Sequence, residues 1–321
     1  MYVEEQASPT QTDRPICGLP VDTDVLFSDK NGVYKKSIGK KKTKLLQKIT
    51  FIRKFLDEDE RIMFVTTGLS PFSALEQLTT PWVLFCLMKR ALFVFTNKRI
   101  FHVPTTTDYR YRGSVAHILY QDCNRLYVTG SKLVIEYRTG KKEKFYYMPT
   151  ADRAKIRQMQ IETAEFGPPS ARPERNHLCP SCTQELTPDL YTCPSCGLEF
   201  KSKAKACRYS LLLPGGGYLY ARCWVMGLLD ALAESYLLVL TLVGLGGFLL
   251  GNIGLLPVLI VFGTILALEK LVTVFHTYRF IAEFIPRDLK PLLASQTGQI
   301  QPPRSQPRNE REAPEQILAV R

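Results

Sequence analysis

The chain has 321 residues and carries 42 Lys or Arg against 30 Asp or Glu, a formal net charge of +12. This length predicts about two domains, and the positive charge favours anionic partners, of which lipid headgroups and nucleic acid are the main classes. Five of the nine cysteines are scattered, which is atypical of a secreted disulfide scaffold and indicates a reducing compartment. The first residues, MYVEEQ, lack the basic and apolar regions of a cleavable signal peptide.

The N-terminal part divides into a polar segment and a basic helix. Residues 1–40 are polar and rich in turn formers, so they are predicted to be disordered. Residues 41–56 are predicted to form a basic amphipathic helix, because apolar residues recur there at helical spacing. This helix either lies on anionic lipid or packs on the next domain with its basic face in water. The candidate lipid-binding residues are Lys35, Lys36, Lys40, Lys41, Lys42, Lys44 and Lys48.

Residues 57–165 are expected to form a small β-barrel or sandwich that is closed by a C-terminal helix. Short runs rich in β-branched and aromatic residues alternate there with turn signals, and a helix with Thr150 as its N-cap follows. The expected strands are Arg61–Thr66, Trp82–Leu87, Arg90–Thr96, Arg99–Val103, His117–Gln121, Arg125–Val128, Lys132–Arg138 and Lys144–Met148.

Residues 93–100 read Phe-Val-Phe-Thr-Asn-Lys-Arg-Ile, which is an apolar strand, a polar turn and the start of another apolar strand. This sequence resembles the bacterial pleckstrin-homology-like (PH-like) and GRAM-type domains. The resemblance covers residues 57–165 and implies a fold and a peripheral-membrane habit, with no catalytic residues. Lys98 and Arg99 in the turn could contact phosphate, or they could form a solvated hairpin tip.

Residues 166–178 contain several prolines and no periodicity, as expected of an interdomain linker. Next come Cys-Pro-Ser-Cys, ten residues and a second Cys-Pro-Ser-Cys. Two knuckles at this separation can bring four thiolates into a tetrahedron, so residues 179–200 are predicted to form a zinc ribbon. The segment resembles the short zinc ribbons of many prokaryotic membrane proteins. The expected Zn²⁺ ligands are Cys179, Cys182, Cys193 and Cys196.

Two roles are open for the ribbon. It is either a metal-folded spacer or protein-docking knob, or it binds nucleic acid through the basic residues that follow it. Few aromatic residues accompany those charges, so a stacking platform for single strands has little support. The basic residues are Lys201, Lys203, Lys205 and Arg208.

Residues 209–285 are predicted to form a membrane module. Ser235–Leu268 has no charged side chain and is too long for one crossing, so we expect transmembrane helices at about 231–250 and 254–275. Basic residues flank the pair but are absent from the turn, which predicts that both termini are cytoplasmic. Residues 211–220 are apolar but short, as in an interfacial or re-entrant segment. The module resembles the two-helix TM2-like modules of bacterial membrane proteins, and residues 286–321 are predicted to be a disordered tail.

Glu234 and Lys270 each lie 18 residues from Asn252 in the predicted turn. They therefore share a depth in an antiparallel hairpin, and an ion pair between them would relieve the cost of partial burial. Such charges belong either to a proton or ion pathway or to side chains that snorkel to the interface.

No catalytic motif is recognisable, so the sequence predicts a protein that is not an enzyme. We expect a membrane-anchored adaptor of the bacterial inner membrane, whose cytoplasmic β domain and zinc ribbon bind anionic lipid headgroups or protein partners. The alternatives are a nucleic-acid-binding membrane protein and a small transporter or channel subunit.

Overall fold

The computed structural model describes residues 15–29, 31–79, 82, 86, 88–159 and 167–288. Its N-terminal part contains α1 (Thr23–Phe27), α2 (Lys36–Lys48) and a 3₁₀ helix (Thr50–Phe55). The predicted disorder of residues 1–40 is wrong for the described residues from 15 onward. Leu19, Val21 and Leu26 belong to the main hydrophobic core, and their burial fixes this segment. Residues 1–14 lie outside the described residues.

The basic helix begins at Lys36, five residues before its predicted start, and it ends at Lys48. The predicted single helix over residues 41–56 is therefore divided at Ile49, after which the chain continues as the 3₁₀ helix. Leu46 of α2 and Ile52 of the 3₁₀ helix are fully buried, so the apolar positions of both pieces face the core.

Two antiparallel sheets form the centre of the molecule, in agreement with the predicted β domain. The first sheet has the strand order β1-β2-β3-β4-β8, and the second has the order β5-β6-β7. A helix, α4 (Thr150–Gln158), follows the second sheet. The strands are β1 (Ile62–Leu69), β2 (Arg90–Thr96), β3 (Arg99–Pro104), β4 (Val115–Leu119), β5 (Cys123–Thr129), β6 (Lys132–Tyr137), β7 (Lys142–Phe145) and β8 (Asn176–Leu178).

The core lies between the two sheets. Phe93 of β2 and Phe145 of β7 are fully buried, and their ring centroids are 5.1 Å apart. Strands β2 and β3 are buried along almost their whole length, which explains their nearly continuous apolar runs.

Two sequence predictions in this region are wrong. Trp82 and Cys86 are helical where the strand Trp82–Leu87 was expected, and a short helix, α3 (Ala74–Thr79), precedes them. Trp82 packs on Tyr147, and Met88 packs against a cluster in the C-terminal part that includes Tyr218 and Phe280. The predicted linker also contributes β8, which pairs with β4 through Val115–Leu178 and two further residue pairs.

The C-terminal part is helical. A short α5 (Lys203–Leu212) and α6 (Gly216–Tyr220) precede α7 (Trp224–Leu249) and α8 (Leu256–Ile281). Residues 211–220 therefore form a helix end, a turn and a helix, with Gly215 at φ +64° in the turn. A Cβ on Gly244 would lie 2.8 Å from the backbone N of Leu259, so α7 and α8 approach closely there.

The segments Trp224–Leu249 and Ile253–Ile281 are long and apolar enough to cross a membrane. The first begins seven residues before its predicted start, and the second ends six residues after its predicted end. The additional helical turns at the start of α7 and the end of α8 contact the rest of the protein. We call residues 15–201 the head and residues 224–281 the hairpin.

Candidate metal centre and charged cluster of the hairpin

The four predicted cysteine ligands lie together. One sulfur from each falls within 4.8 Å of the others, and two pairs, Cys179–Cys196 and Cys182–Cys193, are each separated by 3.5 Å. A tetrahedral ion with metal–sulfur bonds of the usual length for zinc would hold its sulfurs roughly 3.8 Å apart. The geometry therefore fits a single tetrahedral metal ion.

Two knuckles of the same design position these sulfurs. The N–H of Thr183 donates to the carbonyl of Cys179, and that of Gly197 donates to the carbonyl of Cys193, both at 2.9 Å. Thr183 and Gly197 have φ values of +66° and +72°. Each directly follows the second cysteine of its knuckle, where the chain turns away from the four sulfurs in a left-handed conformation.

Local electrostatics favour the thiolate of Cys193 but not those of the first knuckle. Burial raises the pKa of both Cys179 and Cys182. Burial raises the pKa of Cys193, but the backbone N–H groups of Cys196 and Ser195 outweigh it and lower this pKa to about 7. Lys54 Nζ donates to the carbonyl of Pro180 in the first knuckle. A divalent ion held by four thiolates has a net charge of −2, so the nearby Lys54 supplies compensating positive charge.

The cysteine centre is built into the body of the protein. His117 Nε2 in β4 lies 2.8 Å from Glu185 Oε1 in the loop between the knuckles. Phe200 packs edge-on against Phe284, which follows α8, with ring centroids 5.5 Å apart. The centre therefore contacts both the first sheet and the end of the hairpin.

A second cluster lies inside the hairpin. Asp230 and Glu234 of α7 and Glu269 of α8 each place a carboxylate oxygen within 4.8 Å of the other two. Lys270 Nζ lies 2.8 Å from Glu234 Oε2. The structure thus brings the predicted Glu234–Lys270 pair together and adds two acidic residues to it.

The pair is anchored by backbone groups of the preceding segment. The N–H of Gly215 donates to Glu234 Oε2 at 2.8 Å, and Lys270 Nζ also donates to the carbonyl of Ser210 at 2.9 Å. Glu234 is only 1% exposed, so its side chain does not snorkel.

Two oxygens of the cluster have no hydrogen-bond partner. Glu234 Oε1 and Glu269 Oε2 are buried without one in the described structure. The hydroxyl of Thr273 faces Glu269 Oε1 at 3.1 Å and Asp230 Oδ2 at 3.3 Å. Three carboxylates beside a single ammonium group can hold additional positive charge, as a proton or a cation.

A buried network joins the head to the end of α8. Arg175 Nη1 lies 3.1 Å from Glu283 Oε2, and Arg175 Nε lies 3.0 Å from Glu143 Oε1 of β7. His177 Nε2 lies 3.2 Å from the same Glu283 oxygen, and His102 Nδ1 lies 3.2 Å from Arg175 Nη1. One arginine thus connects both sheets to the hairpin.

Charge pairing sets the protonation states in this network. Burial raises the pKa of Glu283, but Arg175 and His177 outweigh it and hold this pKa well below its usual value. Burial, with the Arg175 charge, lowers the pKa of His102 to about 3. No local sequence pattern predicts this network, because Arg175 and His177 lie in the predicted linker.

The candidate lipid-binding lysines separate into two groups. Lys42 is buried and is not a surface residue, because its Nζ lies 2.8 Å from Asp152 Oδ1 and donates to the carbonyl of Val65. Lys35 pairs with Asp29, and Lys48 donates to the carbonyl of Asp108. Four others are exposed and form no ion pair or side-chain hydrogen bond with the described residues. These are Lys36, Lys40, Lys41 and Lys44.

Several other basic residues are engaged within the protein. Arg99 Nη2 lies 2.6 Å from the buried Glu60, and Lys98 Nζ lies 2.6 Å from Asp59. After the cysteine centre, Lys203 pairs with Asp189 at 2.6 Å. These contacts favour neither a phosphate site at the Lys98–Arg99 turn nor a nucleic-acid surface that depends on Lys203.

In comparisons with known proteins, no family model matches the chain, and no curated protein or solved structure matches it.

Proposed function

We propose that this protein is a membrane-anchored adaptor, not an enzyme, whose zinc-stabilised head is held rigidly on the cytoplasmic face and binds anionic phospholipid headgroups or protein partners. The observation that carries the proposal is the buried contact of Arg175 and His177 with Glu283, directly after a helix long enough to cross a membrane. A head fixed in this way presents one constant surface to the bilayer.

The architecture of the head supports a PH-like domain. Strands β1–β4 form most of one antiparallel sheet, β5–β7 form the other, and α4 follows them. Domains of this type serve as binding scaffolds, so the proposal assigns the head a recognition role.

Four thiolates are the donor set that structural zinc prefers, and they leave no open position for catalysis. We therefore assign Zn²⁺ to Cys179, Cys182, Cys193 and Cys196. When bound, the ion joins the two knuckles and contributes folding free energy to the surface that contacts β4 and the end of α8.

The depth of the hairpin supports insertion. A hydrocarbon layer of about 30 Å needs about 20 helical residues. Counted from the turn, 20 residues reach Ala231 on α7 and Val272 on α8. Glu234 and Lys270 then lie just inside the cytoplasmic edge of the hydrocarbon. Basic residues before and after the hairpin favour cytoplasmic termini, in a bacterial inner membrane by analogy with the families that the sequence resembles.

Anionic lipid recognition is assigned to a groove beside α2. Lys36, Lys40 and Lys44 are four residues apart, so they share one face of the helix. They line an open groove of about 430 Å³ together with Phe27 and Tyr34. The first turn of α2 has no acidic residue, and the positive end of the helix dipole adds to the lysine charges. These like charges repel one another, and a phosphate group in the groove would relieve the repulsion.

Lipid retention by the full-length protein tests the assignment. Protein in a zwitterionic detergent is mixed with equal amounts of phosphatidylglycerol and phosphatidylcholine, and bound lipids are counted by native mass spectrometry. Each lysine contributes on the order of 1 kcal/mol, so replacing Lys36, Lys40 and Lys44 with Gln should weaken phosphatidylglycerol binding on the order of a hundredfold.

The matched control replaces the exposed Arg110, Lys132 and Lys144 with Gln, which removes the same charge from surfaces away from α2. This variant should retain phosphatidylglycerol nearly as well as the wild type. Equal loss in both triple variants would reject the groove and leave only diffuse attraction.

A second candidate function is favoured by the charged cluster. The unpaired oxygens of Glu234 and Glu269, buried beside Lys270, are suited to binding a proton or a cation within the hydrocarbon. Vesicles that contain the protein would then show a proton or cation flux that Glu269→Gln abolishes. An identical flux in wild type and variant would remove this candidate.

A further inference from the structure

The connection between β1 and β2, residues 70–89, extends from the head to the hairpin. On its outward path, Glu76 in α3 lies 3.4 Å from Arg279 Nη2, and Thr79 Oγ1 lies 2.8 Å from His276 Nε2. On its return, Lys89 Nζ lies 2.6 Å from Glu76 Oε1, and both residues are buried. An ion pair thus joins the outgoing and returning parts of this connection.

The contacts show in which direction the connection runs. Helical residues rise about 1.5 Å each, so His276 lies about 4.5 Å nearer to the turn of the hairpin than Arg279. The chain from Glu76 to Thr79 therefore descends along α8 toward the bilayer. Both contacts lie beyond Val272, where the hydrocarbon ends, and so they fall within the headgroup layer.

The descending segment exposes large apolar side chains. Leu75 is 50% exposed, Leu78 is 84% exposed and Trp82 is 41% exposed. The ring of Trp82 lies 4.9 Å from the ring of Tyr147, which is also half exposed. An exposed Trp–Tyr pair next to exposed leucines is costly in water, but it is typical of the interfacial belt of membrane proteins.

A second apolar surface occurs at similar depth. Leu211, Leu212 and Leu213 at the end of α5 are 53%, 77% and 50% exposed. They directly follow Ser210, whose carbonyl accepts a hydrogen bond from Lys270 near the cytoplasmic edge of the hydrocarbon. The apolar surface of the hairpin thus continues onto an element beside it.

We propose that the β1–β2 connection is a third membrane contact, whose α3 segment and Trp82 insert into the headgroup layer of the cytoplasmic leaflet beside the hairpin. The inference rests on the proposed membrane insertion of the hairpin. The occupant of this surface is phospholipid, because Glu76 and Thr79, which lie next to the exposed leucines, contact α8 at headgroup depth. The insertion restrains the tilt of the head relative to the membrane plane, which otherwise depends on the network at Glu283.

Depth-dependent fluorescence quenching tests the inference, because the chain contains only two tryptophans. Trp224→Phe leaves Trp82 as the sole tryptophan, which is excited selectively at wavelengths that tyrosine does not absorb. The full-length variant is reconstituted into phosphatidylcholine vesicles whose acyl chains carry bromine at a shallow or a deep position. We expect Trp82 to lose emission in brominated vesicles, and to lose more with shallow than with deep bromine.

A matched variant reports on the hairpin independently. It carries Trp82→Phe, Trp224→Phe and Leu242→Trp, and Leu242 is an exposed residue of α7 in the middle of the expected crossing. Its emission should be quenched more by deep bromine. Adding Leu78→Glu to the Trp224→Phe variant should reduce the quenching of Trp82, because a charge at this position disfavours insertion.

The outcomes distinguish insertion of the β1–β2 connection from insertion of the hairpin. Quenching at position 242 with none at Trp82 overturns the third contact and leaves the membrane hairpin intact. Loss of quenching at both positions refutes the membrane insertion on which the inference rests. Trp82 emission that ignores bromine but changes with protein concentration would identify a second copy of the chain as the occupant, and this too overturns the proposal.

Discussion

The cysteine centre and the charged cluster of the hairpin each gather four functional side chains, but they are assembled in different ways. The cysteines come from 18 consecutive residues and carry charges of one sign, so they need an added cation to be stable together. The hairpin cluster joins Asp230 and Glu234 to Glu269 and Lys270 across a helical turn, and it contains its own cation. Spacing along the chain builds the first site, whereas packing between helices builds the second.

This difference predicts that the two sites respond differently when one of their side chains is replaced. The cysteine centre depends on an external ion, and so it should lose its metal entirely. The hairpin cluster should keep its fold at reduced stability, because backbone groups at Gly215 and Ser210 still contact it.

The largest effect is expected for Cys179→Ser, which removes a fully buried ligand. Because structural zinc contributes on the order of 10 kcal/mol to folding, the variant should bind no zinc, and its head should become sensitive to protease. Metal analysis of the purified full-length protein together with limited proteolysis measures both effects. Cys207→Ser, outside the centre, is the control and should retain one zinc per chain. Full zinc occupancy in Cys179→Ser would contradict the four-thiolate site.

The next effect is expected for Lys270→Met, which leaves Glu234 buried without its cation. Removing one partner of a buried ion pair costs about 3–5 kcal/mol, so thermal stability in detergent should fall strongly. Adding Glu234→Gln should recover most of the loss, because a neutral amide can still accept from the N–H of Gly215. If the double variant is no more stable than Lys270→Met, the two residues are not coupled.

Exchanging the two charges of the hairpin cluster tests how much its backbone contacts contribute. Glu234→Lys with Lys270→Glu restores an ion pair but faces an ammonium toward the N–H of Gly215 and a carboxylate toward the carbonyl of Ser210. We therefore expect only partial recovery of expression and stability relative to Lys270→Met. Full recovery would show that the backbone contacts contribute little.

The network between head and hairpin should make stability depend on pH. Arg175 can only donate to Nδ1 of His102, so this histidine is neutral in the folded protein. Its folded pKa of about 3 lies below the ordinary value of 6.5, so the unfolded chain binds the extra proton between these values. The free energy of unfolding therefore falls as pH decreases through this window, by about 2 kcal/mol from pH 7.5 to pH 5.

Thermal unfolding at the two pH values measures this dependence, with His102→Gln as the comparison. The variant lacks the titrating group, so its melting temperature should change less between pH 7.5 and pH 5. An identical decrease in both proteins would assign the acid sensitivity to other groups.

The smallest effect is expected for Lys54→Gln, which removes the positive charge beside the cysteine centre. Groups that contact metal ligands typically change metal affinity 10- to 100-fold, and we expect about tenfold weaker zinc binding. Competition with a chromophoric chelator measures the change. Lys41→Gln, which alters net charge equally at an exposed site, should bind zinc as the wild type does. Equal affinities in all three proteins would show that Lys54 has no electrostatic role there.

Local patterns predicted the parts of the fold that depend on nearby residues. The alternating and apolar runs located most strands to within a few residues, and the uncharged run located both helices of the hairpin. The segment around Trp82 was assigned to a strand because short apolar runs suit strands and helices equally. The preceding Glu76 and Thr79 contact Arg279 and His276, nearly 200 residues away, and such long-range contacts leave no trace in a local pattern.

The sequence by itself determined that the four cysteines form one site and that Glu234 and Lys270 lie at matching depth. Both properties follow from spacing along the chain. Only the tertiary structure revealed that Lys42 is buried against Asp152, and that Arg175, in a predicted linker, joins the sheets to Glu283. A charged residue has the same local pattern whether it faces water or a buried partner. Its role is decided by where the partner's element packs, and that is a long-range property of the fold.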